Sequence, residues 1–256
     1  SGFPGLRGAT DRVREAHLDG YLARVIERDF HEAGHRVRSP QKLRRWLTAY
    51  AAATATCTSF ETIRFAAASG EGVAPARTTT QPYREALERL FLLDAVPAWS
   101  PTRNRLSRLV GAPKHHLADP ALATRLLGVD ETTLIDATVG PARSLRDGPL
   151  LGTLYESLVT LSVRVYAQAT RTRVGHLRTK TGAREIDLIV ERADGRVVAI
   201  ETKLGGTVDD HDVRHLRWLA REIGDDLLDA IVVTTGTDAY RRKDGIGVVP
   251  AALLGS

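Results

Sequence analysis

Between Arg184 and Leu204 the sequence writes two β-rich runs around Asp194-Gly195, and the pairing register of those runs decides what this chain can be. Slipping an antiparallel pair by one residue moves every side chain to the other face. A two-residue Asp194-Gly195 loop would set Asp187 against Thr202, on the face opposite Glu201. A three-residue Ala193-Asp194-Gly195 loop, with Gly195 in the left-handed position, pairs Arg192 with Arg196. Counting outward, Asp187 then lies across from Glu201. Ile186, Leu188, Val190, Val198, Ile200 and Leu204 fall together on the other face. That face is unmixed, so burial of apolar area selects the second register without any appeal to function.

The polar face of this hairpin carries Asp187, Glu201 and Lys203. Directly opposed carboxylates, with Cβ atoms roughly 4.5 to 5.5 Å apart, repel unless a cation or proton lies between them. A hard divalent ion, Mg²⁺ or Mn²⁺, resolves the repulsion, taking Asp187, Glu201 and the peptide carbonyl of Thr202 and leaving its other positions to water and a phosphate. Lys203, two residues past Glu201 and on its face, is placed to orient water or offset charge on that phosphate. A guanidinium does not substitute equally for this compact ammonium, and the chain otherwise favours Arg, with Lys only at positions 42, 114, 180, 203 and 243. The same spacing also describes an exposed hairpin whose charges simply pair across the strands.

A length of 256 residues accommodates two modest domains. Hydrophobic residues at 43% and charged residues at 26% are the proportions of a soluble protein, and no apolar run reaches the length of a membrane span. No secretory signal is legible. The single cysteine, Cys57, excludes an internal disulfide and a cysteine-rich zinc site and fits the cytoplasm. His115 and His116, being adjacent, are read as one buried and one exposed residue rather than a metal pair. The absence of Met and the opening Gly2-Phe3-Pro4-Gly5 read as a piece of a longer chain. A net charge of +5 favours an anionic partner such as nucleic acid, though solubility alone accounts for it.

Along the chain, apolar residues at spacings of three and four predict a helix from an N-cap at Thr10 to about Gly34 and a second after Ser39-Pro40 through Leu43, Trp46, Leu47 and Tyr50. A third follows Ser59 and a fourth the run Thr78 to Thr80. With a strand-like stretch Asp94 to Trp99 and a basic loop holding Arg103, Arg105 and Arg108, the outline is that of a winged helix-turn-helix, the arginines facing either phosphates or solvent. The boundary falls near Gly140-Pro141, giving a helical module over 1–140 and an α/β domain with a central mixed sheet over 141–256. In the second, Leu150 to Ala169 reads as a long helix with Leu151, Leu154, Tyr155, Leu158, Val159 and Ser162 inward. Asp209 to Glu222 reads as an amphipathic helix presenting His211, Arg214, His215 and Arg217 to phosphates or to solvent.

Asp187 with Glu201-Thr202-Lys203 resembles the motif of the PD-(D/E)XK phosphodiesterases, which implies a restriction-endonuclease-like fold. That resemblance implies a further glutamate on the preceding helix, and Glu156 stands there, as an outer or second-metal ligand or else a locally paired helix carboxylate. More narrowly, Gly2-Phe3-Pro4, Tyr21 to Asp29, and Pro113-Lys114 through Asp119 resemble an uncharacterised domain that follows AAA-type ATPase domains in bacterial and archaeal proteins. Asp119-Pro-Ala departs from the Asp-Thr-Gly type of turn in that family. The chain has no Gly-x4-Gly-Lys-Ser/Thr loop, so ATP hydrolysis is not expected of it. The expected activity is Mg²⁺-dependent phosphodiester hydrolysis on DNA. Its expected partners are DNA and an ATPase domain of the full-length chain, with self-association left open. The rival readings are a non-catalytic DNA- or protein-binding module of an ATPase and a transcription regulator using residues 59–99.

Overall fold

A computed structural model of the chain describes residues 2–32, 39–68, 74–101, 111–136 and 144–254. Arg103, Arg105, Arg108, the expected helix end at Gly34 and the expected boundary at 140/141 lie outside the described residues. The chain divides into two compact units, 1–95 with 114–157, and 96–113 with 158–256.

The first unit is helical. Helix α1, Asp11–Arg24, starts after Thr10 and runs on through a π-helical turn, Val25–Asp29, into Phe30–Glu32. Helix α2, Pro40–Ala52, is launched by Ser39, whose hydroxyl accepts from Lys42 N–H, with Pro40 where no N–H is needed. Its expected stripe, Leu43, Trp46, Leu47 and Tyr50, is buried to 1% exposure or less. Removing a side chain the size of Trp46 from such a core costs roughly 3 to 5 kcal/mol. Ser59 caps α3, Phe60–Ala66, by accepting from Thr62 N–H, and α4 spans Arg77–Arg89. Helices α5, Pro120–Leu127, and α6, Glu131–Asp136, follow.

His115 and His116 are both buried, contrary to the expected split. The strand-like segment around them is paired on two sides: Ala55 and Asp94 donate to the carbonyls of His115 and His116, and His115 N–H donates to Thr56 O. The rings then find internal partners, His115 Nε2 at Thr58 O (2.7 Å) and His116 Nδ1 at Ser157 Oγ (3.2 Å).

Helix α7, Ser144–Ala169, begins earlier than Leu150 and contributes residues to both units. Leu154 and Val159 are buried, but Leu158, expected inward, is 43% exposed. The second unit holds a seven-stranded mixed sheet in the order β1-β2-β3-β4-β5-β7-β6. Its strands are β1 Ala98–Trp99, β2 Arg173–Arg178, β3 Glu185–Glu191, β4 Val197–Lys203, β5 Leu227–Thr234, β6 Tyr240–Arg241 and β7 Gly247–Pro250. Strands β2, β3 and β4 form an antiparallel meander; helix α8, Arg214–Ile223, then returns the chain to β5, parallel to β4. Residues 98–99, read from sequence beside a wing, pair parallel with β2 instead. Gly175 permits this approach, because a Cβ there would meet Trp99 Cβ at 2.9 Å.

The β3–β4 register is the three-residue-loop register: Glu191↔Val197, Val190↔Val198, Ile189↔Ala199 and Leu188↔Ile200. Arg192 N–H donates to Arg196 O and Gly195, at φ +89°, closes the turn. The face carrying Glu201 is nevertheless not a polar face. Ile189, Val197 and Ala199 share it and are fully buried, in one cluster with Val213, Leu216 and Leu219 from around α8. Leu188 and Ile200 are buried on the other side. These central strands are covered twice, which a two-strand count of apolar residues does not reveal.

Candidate functional site

Carrying the β3–β4 register one step past Leu188↔Ile200 sets Asp187 opposite Glu201. Hydrogen-bonded pairs alternate along an antiparallel ladder. Since Arg192 and Arg196 form such a pair, Thr202 N–H would next seek Ile186 O. Asp187 intercepts it: its Oδ2 accepts from both Thr202 N–H and Thr202 Oγ1–H, each at 2.9 Å. The aspartate is thereby pinned across the strands, one residue beyond its register partner.

Glu201 sits between a lysine and a histidine. Its side chain is 7% exposed, with Lys203 Nζ 3.9 Å from Oε2 and His215 Nδ1 4.0 Å from Oε1. His215, on the first turn of α8, donates from Nδ1 to Glu185 O at 2.7 Å. Burial lowers the His215 pKa below its ordinary value; the Glu185 hydrogen bond opposes this, while Arg214, Arg184 and Lys203 add to the lowering. The ring lies beside the carboxylate, between the foot of β3 and the end of β4. Sequence placed His215 on a helix face turned to phosphates or to solvent. The usable signal was its spacing from Leu219, four residues on and fully buried, which turns His215 toward the sheet.

The other expected residues are distributed as follows. His211 precedes the helix, in a turn where Asp209 Oδ1 accepts from His211 N–H and Asp212 N–H. The helix therefore starts at Arg214 rather than at Asp209. Arg214 Nη1 is 2.8 Å from both His211 Nδ1 and His211 O. Arg217 is taken by Asp210 and Asp244. Glu156 belongs to the first unit, where the fully buried Lys114 donates to its Oε1 at 2.7 Å. Asp119 ends as a helix cap, its Oδ1 accepting from Ala121 N–H, while Oδ2 accepts from Gly2 N–H at 2.6 Å.

As a cation site, Asp187, Glu201 and the Thr202 carbonyl are the oxygen donors that a hard divalent ion takes, with water and phosphate completing the shell. Two carboxylates suffice for Mg²⁺ in that arrangement, so the donor set fits. Among the described residues, the one preassembled group of three His, Asp or Glu ligands is Asp209, His211 and Asp212, whose carboxylates are already engaged in the turn. A cavity of about 550 Å³ in the first unit is lined by Trp46, Phe60 and matched charges. There Glu61 is held down to about 2 by Arg64 and Arg77, and Arg84 pairs with Glu88.

Residues 151–254 match the family described as Domain of unknown function (DUF4143). The chain is 25% identical over 204 residues to Uncharacterized protein Rv2008c of Mycobacterium tuberculosis and, equally, to Uncharacterized protein Mb2031c of Mycobacterium bovis. These matches cover 80% of this chain and 41% of each relative, so the chain spans well under half the length of the curated relatives it matches. Among solved structures, a chain of a half-complex from a tetradecameric assembly of Thermococcus gammatolerans McrB AAA+ hexamers with bound McrC is similar at a TM-score of 0.30 and 12% identity. That match covers 82% of this chain and 70% of the other. Residues 1–133, just over half of the 256, match the family described as Domain of unknown function (DUF8612), and the chain belongs to that family.

Proposed function

We propose that the second unit is a restriction-endonuclease-like domain that hydrolyses phosphodiester bonds in DNA with Mg²⁺ or Mn²⁺. The observation carrying this reading is the register that opposes Asp187 to Glu201 on adjacent central strands with Lys203 Nζ 3.9 Å from the glutamate. Asp187, Glu201 and the Thr202 carbonyl would hold the ion, which when bound supplies a Lewis acid and an acidified water. Thr202 fixes Asp187 through its N–H and hydroxyl, so the carboxylate is oriented before substrate arrives. Lys203, at 35% side-chain exposure, is the cation able to reach both the buried glutamate and a phosphate at the surface. Glu156 stays outside this assignment, because its carboxylate offsets the buried Lys114 ammonium. In the full-length protein, the family resemblance adds an ATPase domain that would drive or gate the site.

The test is cleavage of plasmid and single-stranded DNA with Mg²⁺ or Mn²⁺, together with calorimetric titration of Mn²⁺. Activity lost in Asp187→Ala and Lys203→Ala, and an ion-binding event lost in Glu201→Ala, support the reading. Cutting that survives in Asp187→Ala overturns it. A second reading, a non-catalytic binding module, draws on the observation that each carboxylate already has protein partners, Thr202 for Asp187 and Lys203 with His215 for Glu201. DNA binding with no cleavage under any divalent ion would favour it. The winged-helix reading rests on α3 and α4 alone, since residues 98–99 join the other unit's sheet.

A further inference from the structure

We propose that the cavity lined by α3 and α4 in the first unit binds an extended peptide segment carrying an acidic and a basic side chain three residues apart. Its floor is aromatic, Trp46 from α2 and Phe60 from α3, and its walls are charged. The charges balance in number but not in place. At the N-terminal end of α4, Arg77 shares the Glu61 carboxylate with Arg64, two guanidiniums on one acid. Toward the other end of the helix stand Glu88, paired with Arg84, and Glu85, whose Oε1 accepts from the neutral Gln81 amide at 2.8 Å. Among the described residues Glu85 has no cationic partner. The cavity is therefore net positive at one end and net negative at the other. Its floor already accepts a cation, since the Arg84 guanidinium lies 4.2 Å from the Phe60 ring centroid.

Helix stability does not account for this order of charges. An arginine in the first turn and a glutamate in the last run with the helix macrodipole instead of offsetting it, and Arg84 preceding Glu88 is the weaker sense of an i,i+4 pair. From Arg77 to Glu85 the helix rises about 12 Å. Nucleic acid, with one sign of charge throughout, is drawn to one end of such a cavity and repelled by the other, and a free amino acid is too short to reach both. Three steps of extended polypeptide span about 10 Å, and two charged side chains cover the remainder. Between the ends, Gln81 spends one amide N–H on Glu85 and keeps a carbonyl and a second N–H, the acceptor and donor that one peptide unit needs. The volume of about 550 Å³ lies in the range of pockets that enclose small ligands. This site is independent of the phosphodiesterase reading.

The experiment is a chemical-shift titration of the isotope-labelled whole chain with the blocked tetrapeptide acetyl-Glu-Ala-Ala-Lys-amide, read at the Trp46 indole. The peptide should shift that signal, and Arg77→Gln and Glu85→Gln should each weaken binding about tenfold. Arg77→Lys should keep most of the affinity, which separates lost charge from misfolding. Arg12→Gln, removing an exposed arginine of α1 outside the cavity, should leave the affinity unchanged. Acetyl-Gln-Ala-Ala-Gln-amide, equal in length and uncharged, should produce no shift. No shift with the charged peptide at millimolar concentration, equal affinity for the uncharged one, unchanged affinity in both Gln variants of the cavity, or an equal loss in Arg12→Gln overturns the site. Tighter binding of acetyl-Glu-Ala-Ala-Glu-amide or of acetyl-Lys-Ala-Ala-Lys-amide than of the mixed peptide overturns it as well, because the two ends would then not differ in sign. None of these readouts involves a divalent ion or DNA cleavage, so the proposal stands or falls apart from the activity of the second unit.

Discussion

Replacing Glu156 by alanine removes a carboxylate that pairs with a buried ammonium. Lys114 is fully buried, its Nζ 2.7 Å from Glu156 Oε1, and the glutamate side chain is only 12% exposed. Forming such a pair gains little over apolar residues of equal volume, because both desolvation costs are borne by the folded state. Breaking it from one side costs about 3 to 5 kcal/mol, since the remaining charge stays in a low-dielectric interior. Taking ~4 kcal/mol, and about 2 to 4 °C per kcal/mol for a chain of this length, Glu156→Ala should lower the melting temperature by about 8 to 16 °C. Lys114→Met combined with Glu156→Leu should recover most of that loss. Differential scanning calorimetry reads both. A Glu156→Ala chain melting within about 3 °C of the unaltered protein would refute the argument, because a drop that small corresponds to at most about 1.5 kcal/mol. So would a double variant no more stable than the single.

Two further expectations follow from burial and from backbone geometry. Burial lowers the His115 pKa below 6.5, with the Thr58 carbonyl opposing, so the folded state holds this ring neutral while the unfolded chain protonates near 6.5. Stability from this group is complete above that pH and falls, by at most about 1.4 kcal/mol per unit, as pH drops toward the lower folded value; His115→Gln should flatten the pH dependence of thermal melting between about pH 7 and 5, and an unchanged profile would contradict it. Gly175→Ala would force a methyl against Trp99 Cβ and Pro97 O, a conflict worth about 1 to 3 kcal/mol in urea unfolding, and a neutral result would mean that the edge strand yields freely.

The hairpin register was legible because a single alternation of apolar residues, Ile186 through Ile200, fits just one loop length. The caps at Ser39 and Ser59 were legible for an equally local reason: hydroxyl and N–H are three residues apart. What stayed hidden depends on distance along the chain. Lys114 and Glu156 are separated by 42 residues, and nothing local marks either as buried. The second cover on β3 and β4 comes from α8, beyond the strands themselves, so half of the apolar face looked polar. At the candidate site, sequence supplied Asp187, Glu201 and Lys203 by spacing but not the engagement of Asp187 by Thr202, which arises where the ladder gives way.

The edge strand β1 has a consequence for anyone dividing this molecule. Residues 98–99 precede the sheet by some seventy positions yet flank β2, so a fragment cut at 141 would present β2 as a bare edge, its N–H and C=O groups open to another chain. Such a fragment should self-associate through strand addition. The two halves of the polypeptide are thus interlaced rather than strung in sequence, and a functional piece must be excised by contact, not by position.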